Sequence, residues 1–256
     1  MSRIAALPRV SAPFEWQAAG ELTWIEAAVG PAKAAFSTRT GGTSEGPFRS
    51  LNLGVLTADD QGRVQRNRDL LARGIGRHPG SLAMGQQVHG ATVQVQDRPR
   101  SRGQLERADA QVTTAAAVTP LVLVADCVPV VLAARGAVAA VHCGWRGVAA
   151  GIVPRAVEQV TALGDGPVAA VIGPGIGPCC YEVGPEVLEQ LAARGHEAEG
   201  RMLDLAACVA DELRRAGVED SAACGICVSC NEELFFSHRR DGGVTGRQGA
   251  LAWLGS

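Results

Sequence analysis

Residues 121–147, LVLVADCVPVVLAARGAVAAVHCGWRG, carry the strongest fold signal in the sequence. Residues 121–125 are apolar at every position, which is typical of a strand that is buried on both faces. Residues 128–133 and 138–141 continue the β pattern. Polar residues follow these apolar runs where the chain turns, and side chains at such strand ends can converge on a ligand.

The pattern changes on either side of this stretch. Apolar residues at helical spacing predict a helix over residues 148–163, and residues 168–172 predict a further buried strand. Asp59 or Asp60 and, later, Asp204 predict the starts of two more helices, because a carboxylate there can cap the first turn. Strands alternate with helices only in the middle of the chain, so we predict a mixed α/β (α+β) fold with mixed β-sheets flanked by helices.

The domain organisation predicted from the sequence is simple. No repeat of 20–50 residues is present, and no long linker divides the chain. We expect residues 1–33 to form an N-terminal strand or extension and residues 34–256 to form a single catalytic domain.

The composition excludes several classes of protein. The 256 residues are 46% hydrophobic and 20% charged, which is not the composition of a disordered chain. A net charge of −2 does not fit a strongly basic nucleic-acid-binding protein. The most apolar stretch, residues 115–134, contains Pro120, Asp126 and Pro129, and one central Asp costs ~2.5–3.5 kcal/mol in a membrane. We therefore expect no membrane span and no nucleic-acid partner.

The cysteines indicate a cellular compartment. All eight lie at residue 127 or beyond, whereas secreted disulfide scaffolds are short and spread their cysteines. Three glutamates, Glu15, Glu21 and Glu26, interrupt any apolar signal segment near the N-terminus. We expect a cytoplasmic monomer with reduced thiols.

One group of residues has the chemistry of a metal site. His89, Cys127 and His142 together supply a thiolate and two imidazoles, a suitable ligand set for Zn²⁺. Three protein ligands leave one coordination position open, as in catalytic zinc sites. Two alternatives remain at this point: each residue is an ordinary core residue, or Cys127 and His142 form a thiol–imidazole nucleophilic pair.

The remaining cysteines give a weaker signal. Cys224, Cys227 and Cys230 are evenly spaced, but an iron–sulfur run needs a fourth cysteine where Leu234 stands. For a tetrahedral zinc site, His238 is the only nearby fourth ligand. The spacing favours free thiols. The neighbouring Cys179 and Cys180 are expected to be structural, because a disulfide between adjacent cysteines is strained.

Two segments suit anions. Residues 37–42, STRTGG, end an apolar strand in a glycine pair, and the guanidinium of Arg39 there would suit phosphate. Arg146 lies just before a predicted helix N-terminus, which favours anions. The alternatives are an ordinary turn with an exposed Arg39 and a salt bridge of Arg146. The glycine-rich residues 173–177, GPGIG, fit a dinucleotide loop poorly because of their proline.

Eight short blocks together resemble one known family over residues 34–254. The blocks are STRTGG (37–42), SLNLG (50–54), QVHG (87–90), ADA (108–110), ADCVP (125–129), VHCGWRG (141–147), IGPGIG (172–177) and FFSHRRD (235–241). The family was long labelled multicopper polyphenol oxidase or laccase-domain proteins. Its members are now described as zinc-dependent purine nucleoside phosphorylases, and some as peptidoglycan editing factors. Its fold is similar to that of toxin deamidases.

This resemblance implies a metal site and two reactions. The family's metal ligands fall on His89, Cys127 and His142, which would hold one Zn²⁺. Copper is less favoured, because one three-ligand site cannot form the multicopper cluster that laccase chemistry needs. The implied reactions are phosphorolysis of adenosine, inosine and methylthioadenosine by inorganic phosphate, and hydrolytic deamination of adenosine.

Substrate residues can be assigned only as hypotheses. We expect Arg39 and Arg146 to bind phosphate, and Gln87 or Asn52 to donate a hydrogen bond to the purine.

The sequence departs from the family pattern at two positions. Cys143 replaces the usual Ala, and His238 replaces the usual Tyr. Strand alternation should turn Cys143 away from His142, although an irregular strand would let its thiol compete for the metal.

Two other functions stay open from the sequence. The first is a cysteine hydrolase or deamidase that uses Cys127 and His142, as the similar toxin deamidases use a cysteine and a histidine. The second is a metal-binding redox protein, supported separately only by the cysteine-rich C-terminal part.

Overall fold

The computed structural model describes residues 7–99 and 105–255. Within these ranges, the strands form two six-stranded sheets. Sheet I contains, in spatial order, β1 (Phe14–Ala19), β2 (Leu22–Val29), β3 (Ala32–Ser37), β12 (Gln248–Leu254), β7 (Thr119–Val124) and β4 (Leu82–Ala83). Sheet II contains β11 (Asp220–Ala223), β10 (Asp165–Ile172), β8 (Val128–Arg135), β9 (Ala137–Cys143), β6 (Ala110–Thr113) and β5 (Val93–Val95).

Both sheets are mixed, as predicted. The pairs β4–β7, β5–β6 and β10–β11 are parallel, and the other neighbouring strands are antiparallel. The helices of the described residues are α1 (Gln61–Gly74), α2 (Trp145–Ala149), α3 (Ile152–Leu163), α4 (Pro185–Ala192) and α5 (Leu205–Arg215), with short 3₁₀ turns at Gly46–Phe48 and Pro79–Ser81.

The two sheets pack face to face, and helices cover their outer faces. The apolar layer between the sheets includes Phe36 and Val122 of sheet I and Val131 of sheet II. The outer face of sheet II packs against α2 to α5, and the outer face of sheet I packs against α1. The four layers explain the uninterrupted apolar runs, because a strand in the middle of such a stack is buried on both faces.

Strand β9 shows how this burial directs side chains. Val138 and Ala140 face the layer between the sheets, whereas Ala139 and Val141 face the helices. His142 continues the first set by strand alternation. Its imidazole therefore lies at one end of the layer between the sheets, beyond the last apolar residue on that face.

The predicted helix over residues 148–163 is wrong in its boundaries, because the structure has two helices there. Helix α2 already begins at Trp145, and α3 begins at Ile152. Gly151 separates them with a φ of +82°, a left-handed conformation that glycine adopts without strain. The apolar spacing is unaffected by this break, which is why the sequence pattern predicted one continuous helix.

The two predicted helix caps are confirmed. The Asp60 side chain accepts a hydrogen bond from the Arg63 amide at the start of α1. The Asp204 side chain accepts one from the Ala207 amide at the start of α5. No helix within residues 7–99 and 105–255 is long and apolar enough to cross a membrane.

The N-terminal strands belong to sheet I. Strand β2 pairs antiparallel with both β1 and β3, and Ile25 of β2 is fully buried between the sheets. The boundary predicted between residues 33 and 34 falls inside β3. Residues 1–6 of the predicted N-terminal segment lie outside the described residues.

Candidate active site

Three distant segments bring His89, Cys127 and His142 together. Their ligand atoms all lie within 4.8 Å of one another, as expected for residues that share one metal ion. His89 lies in the loop between β4 and β5, Cys127 in the turn between β7 and β8, and His142 near the end of β9. The two imidazole rings meet edge to face, with centroids 4.9 Å apart. Burial differs: His89 is exposed, Cys127 is partly buried and His142 is buried.

The buried carboxylate of Asp109 connects two of these residues. Its Oδ1 lies 2.8 Å from His142 Nδ1 and accepts a hydrogen bond from the His89 amide at 2.9 Å. Its Oδ2 accepts hydrogen bonds from the amides of Gly90 and Val88. Because Nδ1 of His142 is engaged, Nε2 is the nitrogen left to face a metal, an arrangement common for metal-binding histidines. In the sequence, Asp109 stands out only as part of the block ADA (108–110), and no local pattern indicates this role.

A second carboxylate shapes the turn that carries Cys127. Asp126 adopts a φ of +88°, which is rare for a residue with a side chain. Its Oδ1 accepts a hydrogen bond from Ser237 Oγ at 2.6 Å, and its Oδ2 accepts one from the Arg239 amide at 2.7 Å. These bonds hold residues 237–239 beside the Cys127 turn.

The protonation of Cys127 and His142 is coupled. Burial raises the pKa of the Cys127 thiol, but the charge and hydrogen bonds of His142, together with the hydrogen bond from His89, lower it to about 6. Burial lowers the pKa of His142, but Cys127 and Asp109 raise it to about 9. Without a metal, the pair is therefore a thiolate and an imidazolium near neutral pH. A thiolate is the form of cysteine that binds metals.

Asp109 stays ionised in this setting. Burial raises the pKa of its carboxyl group, but the hydrogen bonds from His142 and from the amides of Gly90 and Val88 outweigh burial and lower the pKa. The carboxylate is therefore ionised near neutral pH and remains a hydrogen-bond acceptor there.

The space between the three side chains suits a metal ion. Gly144 borders it, and a Cβ added there would lie 2.8 Å from His89 Cδ2 and 3.2 Å from Cys127 Sγ. Only glycine leaves that space open. One thiolate and two imidazoles are also a ligand set that zinc prefers, and the chain supplies three of the usual four ligands. The residues of this chain thus fit one zinc ion.

Cys143 does not join this group. It is fully buried in the apolar cluster between sheet II and the helices, on the opposite face of β9 from His142. Burial, with the charges of Cys127 and Asp109, raises the pKa of its thiol. The expected alternation is confirmed, and Cys143 is a core residue.

A cavity of about 520 Å³ opens beside His89, Cys127 and His142. This volume lies in the range of small-molecule sites. The lining combines polar and apolar side chains. The lining includes Gln87, Trp145, Arg146, Tyr181, Arg239 and Arg247.

Two of the predicted substrate residues line this cavity. Arg146 is exposed, and its guanidinium lies 4.2 Å from the centre of the Trp145 ring. Its side chain forms no hydrogen bond or ion pair with any described residue. Gln87 uses its amide group largely for structure. Its Nε2 donates to the Leu123 carbonyl at 2.7 Å, and its Oε1 accepts from the Leu123 amide at 2.8 Å.

The other two predicted substrate residues are not among those that line the cavity. Arg39 Nε donates to the Arg49 carbonyl at 2.8 Å, and its guanidinium packs over the Phe236 ring. Asn52 is fully buried, and its Oδ1 accepts hydrogen bonds from the amides of Gly54 and Arg247. The structure thus places both residues as supports of loops rather than beside the cavity.

Two further cavity residues, Arg247 and Tyr181, come from the last third of the chain and were not predicted from the sequence. Arg247 follows a loop before β12, and its Nη1 donates to the carbonyls of Thr245 and Gly246. Burial lowers the pKa of Arg247, against the opposing charges of Cys127 and Asp126. Burial also raises the pKa of Tyr181 to about 12. Neither residue lies in a segment with a local signature, so only the fold reveals them.

The chain belongs to the family described as multi-copper polyphenol oxidoreductase laccase, whose family model matches residues 33–255. Relatives in this family carry a more specific name. A protein named purine nucleoside phosphorylase from Streptomyces coelicolor is 40% identical over 86% of this chain and 94% of its own. Purine nucleoside phosphorylase YlmD from Geobacillus stearothermophilus is 36% identical over 94% of this chain and 96% of its own.

Solved structures agree with the fold. The crystal structure of YlmD from Geobacillus stearothermophilus has a TM-score of 0.86 and 34% identity, covering 95% of this chain and all of the other. That of the hypothetical protein YfiH from Bacillus licheniformis has a TM-score of 0.85 and 30% identity, with the same coverage. The mixed α/β single domain is therefore confirmed, whereas the likeness to toxin deamidases stays a prediction.

Proposed function

We propose that this chain is a zinc-dependent purine nucleoside phosphorylase, which converts a purine nucleoside and phosphate into the free base and ribose 1-phosphate. The observation that carries the proposal is the meeting of His89, Cys127 and His142 at the wall of a cavity that Arg146 and Arg247 also line. The names of the relatives support the same reaction.

His89, Cys127 and His142 would hold one zinc ion, and copper is the less favoured ion. When bound, the zinc would supply a Lewis acid with an open coordination position. Asp109 orients His142 and the His89 loop around it. Gly144 keeps the space between the ligands free of a side chain.

Phosphate would bind to Arg247 and Arg146. Nη1 of Arg247 donates hydrogen bonds to two backbone carbonyls, whereas Nε and Nη2 have no hydrogen-bond partner among the described residues. Those two groups form a fork of the kind that binds phosphate oxygens in pairs. Arg146 adds a second cation, and the ring of Trp145 supports its guanidinium. Arg39 was the phosphate ligand expected from the sequence, but its guanidinium donates hydrogen bonds to the carbonyls of Arg49 and Glu232.

The chemical step then follows from position and charge. A phosphate oxygen attacks C1′ of the ribose, the bond from C1′ to N9 breaks, and the purine leaves with the electron pair. The leaving purine must gain a proton or a hydrogen bond. Tyr181 keeps its phenolic proton at neutral pH because burial raises its pKa to about 12, and it lines the cavity as a donor. Gln87 retains one amide N–H for the same purpose.

Adenosine, inosine and methylthioadenosine are the proposed substrates. We also propose hydrolytic deamination of adenosine in the same cavity, in which water adds at C6 and ammonia leaves. Both reactions would need the same three ligands. Loss of the metal is therefore expected to abolish both together.

The decisive experiment follows the free base. Purified protein is incubated with inosine and phosphate, after metal removal by a chelator and again after addition of Zn²⁺ or Cu²⁺. We expect hypoxanthine only with phosphate and a restored metal, with Zn²⁺ the better ion. His89→Ala should lose at least 100-fold in rate, as expected when a ligand of a catalytic metal is removed. His78→Ala, an exposed histidine on a 3₁₀ turn, is the matched control and should remain active.

Two results would contradict the proposal. Phosphorolysis that is unchanged in metal-free His89→Ala would exclude the metal role. Activity that survives chelation but is lost on alkylation of Cys127 would indicate a thiol nucleophile and a cysteine hydrolase.

We further propose that the protein acts in the cytoplasm as a monomer, without nucleic acid or membrane partners. Light scattering after gel filtration tests this, and activity confined to a dimer fraction would contradict it.

A further inference from the structure

A second group of thiols lies outside the cavity. Cys179 and Cys180 lie in the loop after β10, and Cys227 and Cys230 lie in the loop after β11. Strands β10 and β11 are neighbouring parallel strands, so the loops that follow them leave the same edge of sheet II. The four Sγ atoms all lie within 4.8 Å of one another.

Backbone contacts hold these two loops together. The Val228 amide donates to the Gly175 carbonyl at 3.0 Å, and the Gly177 amide donates to Cys227 Sγ at 3.2 Å. Asn231 Nδ2 donates to the Cys227 carbonyl at 2.8 Å. An amide that donates to a cysteine sulfur is typical of thiolate sites, because it stabilises the charge on the sulfur.

We propose that Cys179, Cys180, Cys227 and Cys230 bind one structural zinc ion in a tetrahedral site. With Zn–S bonds of 2.3 Å, tetrahedral geometry places neighbouring sulfurs about 3.8 Å apart. The Sγ atom of Cys230 lies 3.5 Å from that of Cys179 and 3.4 Å from that of Cys180. The other separations reach no more than 4.8 Å, so small side-chain rotations bring all four atoms to that spacing.

Four neighbouring cysteines can also hold an iron–sulfur cluster or form disulfides, but both fit the observed sulfur separations less well. An iron–sulfur cluster places several iron and sulfide ions between its cysteines and needs wider separations. A disulfide requires sulfurs about 2.05 Å apart, and all of the described cysteines are free thiols. Four soft sulfur ligands with tetrahedral spacing are the set that zinc prefers.

The proposed zinc site differs from the sequence-based interpretation, which favoured free thiols. Cys227 and Cys230 do find further ligands, but these come from residues 179–180, far away in sequence. Cys224 belongs instead to the apolar layer between the sheets. His238, the nearby fourth ligand considered earlier, lines the cavity.

The zinc ion would brace one wall of the cavity. Tyr181 follows Cys180 directly and lines the cavity. Arg240, next to Arg239 of the lining, donates from Nη1 to the carbonyls of Val228 and Ser229, which lie between Cys227 and Cys230. The site is separate in its ligands from His89, Cys127 and His142, so each metal can be removed alone.

Metal counting by mass spectrometry tests the proposal. With both sites filled, wild-type protein purified under reducing conditions should carry two equivalents of zinc, and Cys227→Ser/Cys230→Ser should lose one. Cys224→Ala, in the same segment but outside the group, is the matched control and should lose none. Unchanged zinc in the double variant would overturn the proposal.

A second variant tests the proposal if the double cysteine variant does not fold. His89→Ala/His142→Ala disables the site at the cavity and leaves the four thiols intact. It should retain one equivalent of zinc, and Co²⁺ bound in its place should give the strong sulfur-to-cobalt absorption of a tetrahedral four-thiolate site. No bound metal in this protein, or disulfides in its mass spectrum, would overturn the proposal. Because the readout is zinc content, the result is independent of phosphorylase activity.

Discussion

At the scale of single residues, the Asp109 carboxylate sets the geometry of two proposed ligands. It holds the His142 ring through Nδ1 and fixes the His89 loop through three backbone amides. Removing the charge of Asp109 would weaken the hydrogen bonds that hold both the His142 ring and the His89 loop. Such outer partners of metal ligands commonly change metal affinity or activity 10–100-fold when they are mutated.

Asp109→Asn should therefore weaken zinc binding and phosphorolysis by roughly 10–100-fold. The amide keeps the size of the carboxylate but loses its charge and one acceptor oxygen. Competition with a zinc-sensitive dye measures the affinity. Asp97→Asn, an exposed residue before the undescribed residues 100–104, is the control and should leave affinity unchanged. Equal affinities for the two variants would contradict the role of Asp109.

Gly144→Ala should remove the metal without unfolding the protein. The backbone there is extended, with a φ of −76°, so alanine is tolerated, but its Cβ would meet His89 at 2.8 Å. Zinc content after gel filtration measures the loss, and the thermal midpoint reports folding. Gly62→Ala in α1 is the control and should retain its zinc. Full zinc in Gly144→Ala would show that the ligands can move aside.

The pH dependence of Cys127 gives a further prediction. In metal-free protein, the pKa of its thiol is about 6, so the reactive thiolate dominates at higher pH. The rate at which iodoacetamide alkylates Cys127 in the protein should be constant from about pH 7 upward. Well below pH 6, this rate should fall about tenfold for each pH unit. Peptide mass spectrometry follows the rate. His142→Asn removes the imidazolium and should raise the midpoint towards that of a free cysteine, ~8.5. A wild-type midpoint near 8.5 would contradict the thiolate–imidazolium pair.

The candidate ligands at the cavity could be proposed from the sequence, whereas residues that are far apart along the chain and meet only in the fold could not. The residue types of His89, Cys127 and His142 form a ligand set for zinc, but their spacing left other interpretations open until the family resemblance implied a metal site. Arg247 and Tyr181 could not be found, because no local pattern marks a residue that reaches a cavity from a distant loop. For the same reason, the pairing of residues 179–180 with Cys227 and Cys230 becomes visible only once β10 and β11 are known to be neighbours.

At the scale of elements, hydrophobic patterns predicted the buried strands well. The predicted apolar runs 128–133, 138–141 and 168–172 lie within strands β8, β9 and β10, because burial on both faces favours apolar residues at every position. Strand β7 is buried along most of its length, as expected, but it lies beside the two-residue edge strand β4. Burial on both faces results from stacking of layers, so it does not reveal a strand's place in its sheet.

The helix caps can be tested directly. Asp60→Ala removes the acceptor for the Arg63 amide and should lower the free energy of unfolding by about 0.5–2 kcal/mol. Asp60→Asn keeps a side-chain oxygen at this position and should lose little. Urea denaturation measures both. Equal losses in the two variants would show that the charge, and not the cap, provides the stability.

At the scale of the whole molecule, the N-terminal strands complete the core. Ile25, Ala27 and Val29 of β2 are buried between the sheets. Burial of each large aliphatic side chain is worth about 1.5–3 kcal/mol, whereas the net stability of a domain is only about 5–15 kcal/mol. The sequence showed only a weak pattern here, because the stability that these strands contribute depends on the sheet with which they pair.

Truncation should therefore act in steps. Removal of residues 1–20 takes away the edge strand β1 and should lower the thermal midpoint while leaving a folded protein. Removal of residues 1–33 also takes away β2, uncovers the layer between the sheets and should prevent folding. Circular dichroism and cooperative melting report the outcome. A cooperatively folded chain of residues 34–256 would show that these strands are dispensable.

The origin of the cavity walls has a consequence for how its specificity can change. His142 lies near the end of the buried strand β9, and Cys127 lies in the turn between β7 and β8, which are also buried. Much of the rim instead comes from surface loops that follow separate strands. Evolution or engineering can therefore exchange the rim while the chemical centre keeps its shape. New substrate preferences are best sought by randomising the rim at Leu56 and His238, two exposed lining residues that lie outside the ligand set.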